Sequence, residues 1–269
     1  MSNKLINTIT QGDCLEVMKR IPDGSVDMIL ADLPYGTTAC KWDSVIPFAP
    51  LWEQYERIIK DNGAIVLTAS QPFTTALIAS NIDNFKHQWY WNKETGGAFA
   101  VAKYRPLSIM EDICVFTKNG ERVSYFPIME EAKPENIRPA NKGSSAGSTV
   151  PVASGVARSR DGYDNKKRYP RNVLTYNGRA GELNPLKRVH PTQKPVALLE
   201  YLIRTYTNEG ETVLDNVIGS GTTAVAAIIT GRNFIGIEQE TEYVKIARRR
   251  VDEALAIKNE KESDIIDGK

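Results

Sequence analysis

Residues 214–223 read "LDNVIGSGTT", and the fold turns on how that stretch is read. An apolar run, "ETVL", delivers a carboxylate, Asp215. Two glycines, Gly219 and Gly221, then flank Ser220, and a helical pattern, "TTAVAAIIT", begins at Thr222 and Thr223. Glycine in such a turn lets the backbone approach a ligand, and the helix that follows offers free N–H groups at its start. The next apolar run, "NFIGIE", ends in Glu238, 23 residues beyond Asp215, at the spacing where an acidic group can hold ribose hydroxyls. The reading is a Rossmann-like site for a nucleotide-like ligand. A dehydrogenase is the rival, weakened because Thr223 or Ala224 stands where G-x-G-x-x-G needs its third glycine.

Outward from that turn, the chain alternates apolar runs with helical periods. The expected strands are Leu5–Thr10, Val26–Ala31, Ala64–Thr68, Lys86–Trp91 and Ile113–Thr117. The expected helices between them are Cys14–Ile21, Pro50–Ile59 and Phe73–Ser80. Pro195–Tyr206 and Glu242–Ala256 read as helices of the second half. Continuous apolar strands separated by helices predict an α/β fold: a mostly parallel sheet covered on both faces. The expected organisation is 1–118 as one half of that domain, 119–185 as an insert, 186–257 as the other half, and 258–269 as a disordered tail. Trp89 and Trp91 are expected in the core.

Composition sets limits. With 25% charged and 41% hydrophobic residues and a net charge of +1, the chain is an ordinary globular protein, so any basic surface must be local. Three cysteines form no C-x-x-C pair and the two histidines, His87 and His190, stand far apart, which argues against a metal site or a disulfide framework. A reducing cytoplasm fits that usage. No stretch approaches 18 uninterrupted apolar residues, and the opening residues lack the features of a signal peptide, so no membrane partner is expected.

The middle is where the basic surface falls. Between Lys133 and Arg188 there are 12 Lys or Arg against four Asp or Glu. Within it "YDNKKRYPRNVLTY" interleaves Lys166, Lys167, Arg168 and Arg171 with Tyr163, Tyr169 and Tyr176. A solvated loop explains the charge alone; aromatic rings among the cations point to a nucleic-acid surface.

A second stretch, "ADLPYG" at 31–36, ends the Val26–Ala31 strand with Asp32, a stiff turn at Leu33 and Pro34, and the ring of Tyr35. Together, "DLPY", the later "GSGTT" and "HPTQKP" at 190–195 resemble the DNA amino-methyltransferases, which move a methyl group from S-adenosylmethionine to adenine N6 or cytosine N4. The catalytic tetrapeptide precedes the cofactor turn, with the basic region between, as in the family's β group. Leu33 replaces the family's usual first proline, and Asn216 and Val217 replace its Pro-Phe.

The resemblance implies a circularly permuted methyltransferase fold whose first strand lies beside the Glu238 strand. Asp13 is then placed near the cofactor's adenine, or acts as the N-cap of the helix from Cys14, or both. It implies a cofactor set of Asp13, Lys194, Asp215, Gly219, Ser220, Gly221, Thr222, Thr223 and Glu238. An exocyclic amine is a poor nucleophile because its lone pair is delocalised into the ring. Two acceptors on its N–H groups, an Asp32 oxygen and the Leu33 carbonyl, favour a pyramidal nitrogen. Tyr35 offers a stacking face to a base extruded from double-stranded DNA, worth roughly 1–3 kcal/mol. Asp rather than Ser at position 32 favours adenine N6. Cytosine N4, or a catalytically silent DNA-binding relative, are the alternatives, and a homodimer is admitted. Lys41 and Trp42 are further candidates for DNA contact, with a packed Trp equally open, and His190 is as readily structural as functional.

Overall fold

The apolar runs become strands and the 3.6-residue periods become helices, in the order that the alternation requires. The structure, a computed structural model, describes residues 4–36, 44–96, 102–137, 166–177 and 193–266. The strands are β1 (Thr8–Gln11), β2 (Val26–Asp32), β3 (Ile59–Ala69), β4 (Phe85–Asn92), β5 (Met110–Phe116), β6 (Glu130–Glu131), β7 (Lys167–Arg168), β8 (Val173–Thr175), β9 (Thr212–Asp215) and β10 (Asn233–Glu238). The helices are α1 (Cys14–Met18), α2 (Phe48–Ile58), α3 (Phe73–Ser80), α4 (Val196–Tyr206), α5 (Thr222–Ile229) and α6 (Thr241–Ile266).

Eight strands form one sheet in the order β1-β10-β9-β2-β3-β5-β4-β8. Its ladders are parallel except the two made by β5, which runs against both β3 and β4. The first strand of the chain pairs with the last, β1 on β10, as a permuted order requires. Side chains alternate across the sheet. Along β2, Met28 and Leu30 enter one core with α4, α5 and α6, while Ile29 and Ala31 enter the other with α1, α2 and α3. Burial on both faces is why these strands read as unbroken apolar runs. Trp89 and Trp91 lie in the first core, as expected.

Several boundaries differ from expectation. α2 passes directly into β3 at Ile59, so that strand begins five residues before Ala64. α6 continues to Ile266 where a disordered tail was expected after 257; "EALAIKNEKES" carries no Gly or Pro to stop it. The chain divides into one unit of Met1–Phe126 with Asn172–Lys269 and a second of Pro127–Arg171, narrower than the 119–185 insert expected. The reason lies in pairing at both ends. The Phe126 amide donates to the Thr205 carbonyl, and β8 joins the large sheet beside β4. Tyr176 therefore packs against the core of the large unit. In the second unit β6 and β7 pair antiparallel, with Glu130 opposite Arg168 and Glu131 opposite Lys167. Among the described residues no helix is long and apolar enough to cross a membrane, and no group of His, Cys, Asp or Glu could hold a metal.

Candidate active site

Parallel strands end together, so their last residues share one edge of the sheet. Asp32, Asp215 and Glu238 are the final residues of β2, β9 and β10, and Asp13 follows β1 by two. Because β5 runs the other way, it begins at that edge, which brings Glu111 there too, opposite Trp91.

The glycine turn is built from short-range bonds. Gly219 and Gly221 adopt left-handed φ values of 52° and 87°. A Cβ at Gly221 would stand 3.0 Å from both Cα and Cβ of Ala247 on α6, so only glycine fits there. At Gly219 the nearest atom to such a Cβ is 3.9 Å away, which leaves the turn open. The Gly219 amide donates to Glu238 Oε2 at 2.8 Å and the Glu240 amide to Oε1 at 2.8 Å. Thr223 Oγ1 donates to Asp215 Oδ2 at 2.6 Å, and the Val217 amide donates to Oδ1 at 3.1 Å. Burial drives the Asp215 carboxyl up to about 7 against those two bonds, with Asp32 and Glu238 adding to the rise. Burial raises Glu238 as well, opposed by its backbone donors. Ser220, Thr222 and Thr223 are all buried.

Arg250 of α6 backs this turn from beneath. It is 1% exposed, and its Nη1 donates to the Ser220 carbonyl at 2.8 Å and to Thr222 Oγ1 at 3.1 Å. Asp13 caps α1, accepting from the amides of Leu15 at 2.9 Å and Glu16 at 3.2 Å. Asn216, in place of the family's Pro, turns inward: its Oδ1 accepts from the Tyr55 hydroxyl at 2.5 Å.

Asp32 is held by residues far apart in sequence. Its Oδ1 accepts from Tyr35 Oη at 2.7 Å and from Thr68 Oγ1, and β2–β3 pairing sets Thr68 directly opposite Asp32. Its Oδ2 accepts from Lys194 Nζ at 2.6 Å. Burial acts to raise the Asp32 pKa, but the Lys194 ammonium and the Thr68 and Tyr35 bonds outweigh it and hold the carboxyl below its ordinary value. Burial and the Asp32 and Glu111 charges push the Tyr35 phenol well up, so it stays a donor. The Tyr35 ring stacks on Phe73 at 5.0 Å between centroids, so one face is already covered. Leu33, 3% exposed, packs into the core with α2 and α3.

Lys194, which the sequence reading put among the cofactor contacts, pairs within the chain with acidic groups at the sheet edge. Its buried ammonium takes the carboxylates nearest to it: Asp32 at 2.6 Å and Glu111 at 3.4 Å. It also lies 5.9 Å from the centroid of the Trp91 ring. Its neighbour Gln193 accepts from Ser220 Oγ at 3.4 Å, so one dipeptide touches both the glycine turn and Asp32. The two motifs therefore meet in one site.

Sequence reasoning missed Thr68, Glu111, Gln193 and Arg250. Thr68 closes an expected strand next to that of Asp32, so strand-end counting could have found it. Gln193 sits inside the quoted "HPTQKP", and nothing local marks Glu111 or Arg250. Lys167 and Arg168 form β7 opposite two glutamates, Lys166 precedes them, and Arg171 ends the second unit. Lys41, Trp42, Tyr163 and His190 lie outside the described residues.

A glycine turn on a helix start, with acidic groups ending three adjacent parallel strands, is the nucleotide-type ligand site of the doubly wound class. The family is narrower. A DNA methylase family profile matches residues 26–249, and the chain belongs to that family. It is similar to the DNA adenine methyltransferase YhdJ of Escherichia coli K12, with 33% identity over 266 residues, 92% of this chain and 83% of that protein. In fold it matches the M1.HpyAVI–SAM complex, with TM-score 0.60 and 24% identity over 91% of this chain and 98% of that one. It also matches the cytosine-N4-specific PvuII DNA methyltransferase, with TM-score 0.63 and 17% identity over 97% and 93%. The sheet order and the methyltransferase function expected from the resemblance hold at the level of the family.

Proposed function

We propose that this chain transfers a methyl group from S-adenosylmethionine to adenine N6 of a base flipped out of double-stranded DNA. The observation that carries the reading is the placement of Asp32. A carboxylate held anionic by Lys194, Thr68 and Tyr35 sits at the sheet edge, joined through Gln193 and Lys194 to the glycine turn.

The residues suit the cofactor. Asp215 and Glu238 end their strands beside an open glycine turn, placed as acceptors for ribose hydroxyls. When bound, the cofactor supplies an electrophilic sulfonium methyl. The chain's own part is positioning. Asp32 accepts one N–H of the base amine and the Leu33 carbonyl accepts the other, which frees the nitrogen lone pair to point outward. Tyr35 and Thr68 fix the Asp32 carboxylate so that no reorganisation is needed as charge develops on the nitrogen. The open face of Tyr35, opposite Phe73, receives the flipped base. The basic segment around Lys166–Arg168 and Arg171 contacts phosphates, and the enzyme works in the cytoplasm, where its DNA is.

The test is chemical. Purified enzyme is incubated with DNA and methyl-labelled S-adenosylmethionine, and the DNA is digested to nucleosides. Label is expected in N6-methyl-2′-deoxyadenosine. Label in N4-methylcytosine would move the reading to the cytosine branch, and no label at all would mark a silent DNA-binding relative.

A further inference from the structure

Asp32 is crowded for a group that has to receive a substrate amine. A carboxylate offers about four lone-pair sites. Both sites on Oδ1 are used by Tyr35 and Thr68, which are fixed by the turn and by strand pairing. An incoming N–H must therefore take the remaining site on Oδ2, beside the Lys194 ammonium that donates to the same oxygen at 2.6 Å. An ammonium held there neutralises the very charge that makes Asp32 a good acceptor. Lys194 has somewhere else to go. Glu111 Oε1 is taken by Lys93 at 2.9 Å, but its Oε2 is buried, makes no hydrogen bond, and lies 3.4 Å from Lys194 Nζ. That oxygen is already ion-paired with the Lys194 ammonium, at a longer distance than Asp32 is.

We propose that Glu111 is a positioning residue: it receives the Lys194 ammonium when the target amine takes Asp32 Oδ2. Lys194 thereby shares its charge between the two carboxylates and shifts toward Glu111 as the base amine takes Asp32, while the buried site keeps the same charges throughout. Trp91, whose ring lies beside the ammonium, provides an apolar and weakly attractive wall along that short path. No bond is made or broken in the exchange. The inference rests on the reading of Asp32 as the acceptor of the base amine.

The experiment uses the full chain with Glu111→Gln, Lys194→Met and the double variant, with cofactor sites counted by calorimetry. Glu111→Gln is expected to bind S-adenosylmethionine as the unaltered protein does while kcat falls about tenfold, the scale of one charge-assisted hydrogen bond. In the Lys194→Met background there is no ammonium to receive, so adding Glu111→Gln should change kcat by less than about twofold. Unaltered kcat in Glu111→Gln overturns the proposal, and so does an equal loss in both backgrounds. Loss of cofactor binding with a native circular-dichroism spectrum does so too. Should Glu111→Gln fail to fold, Lys93→Met decides. It leaves Glu111 charged and less occupied, so kcat should stay within about twofold; a tenfold fall overturns the proposal. Turnover by Asp32→Ala would instead remove the reading on which the inference stands.

Discussion

The two ends of the site are built in opposite ways. Around the glycine turn, Asp215 is bonded by Thr223, eight residues on, and Glu238 by Gly219, 19 residues back. Around Asp32, the partners are Tyr35 at three residues, Thr68 at 36 and Lys194 at 162. The side we assign to the cofactor is thus largely a local object, a strand–turn–helix held by short-range bonds. The base side is an assembled object, which exists only once β2, β3, β5 and the segment before α4 have come together. Backbone approach suits a ligand that is always the same. Convergent side chains suit an amine whose reactivity has to be changed.

The largest effect separating the two halves comes from Asp32. Asp32→Ala should abolish methyl transfer, by about 10²–10³ or more in rate, because it removes a charge-assisted acceptor from a preorganised site. S-adenosylmethionine affinity should stay close to normal, since the glycine turn does not depend on Asp32. Asp32→Asn keeps the shape and one acceptor oxygen, so its loss should be smaller than that of alanine. A methylation assay and calorimetry on the same preparations read both quantities. If cofactor affinity falls as far as rate, the division into two halves is wrong.

Gly221→Ala is the converse. It asks a residue with a Cβ to hold φ at 87° while that Cβ meets Ala247 at 3.0 Å. The left-handed backbone alone costs roughly 1–2 kcal/mol, so cofactor affinity should fall about five- to thirtyfold. Turnover at saturating cofactor should change much less. Equal affinity for the two proteins would mean that α6 yields and that the turn does not need its backing.

The same contrast explains what the sequence discloses. The glycine turn and the acidic strand ends are legible because each depends on a short motif or on alternation along the chain, whereas the β1–β10 neighbour relation came from the family resemblance. The pairing of Lys194 with Asp32 and Glu111 was not legible, because "HPTQKP" says nothing of which carboxylates its lysine meets. Glu111 went unseen because its place depends on β5 running backwards, a matter of sheet topology that no local pattern encodes. Arg250 hid in a helix that reads as a charged surface, though one of its arginines is buried beneath the turn. The insert was drawn too wide because β8 is only three residues long and lies next to a polar stretch.

A subtler effect concerns Asp215, whose carboxyl burial lifts to about 7 from an ordinary 3.8. The folded state keeps a proton that the unfolded chain gives up, so this group's contribution to stability is full below about pH 4 and is lost as pH rises toward 7. Asp215→Asn cannot titrate and keeps an acceptor for Thr223. Thermal unfolding of the two proteins in parallel should show the unaltered chain losing ground to the variant between pH 5 and pH 8, by melting temperature. A constant difference across that range would mean that Asp215 is already ionised when folded.

The smallest expected change lies in the second unit. Replacing Lys166, Lys167 and Arg168 together by Gln should weaken DNA binding and flatten its dependence on salt, because phosphate contacts release counterions. Three independent contacts would lower the slope of log K against log salt by about 2.7, at roughly 0.9 for each. The pairing of β6 with β7 argues for less. Glu131 stands opposite Lys167 and Glu130 opposite Arg168, so part of each positive charge is offset before DNA arrives. Exposed pairs of this kind are weak and screened by salt. A fall of about one unit is expected, with cofactor affinity untouched. A fall near three would mean that the glutamates swing away when DNA binds. No change at all would place the phosphate contacts elsewhere in the chain.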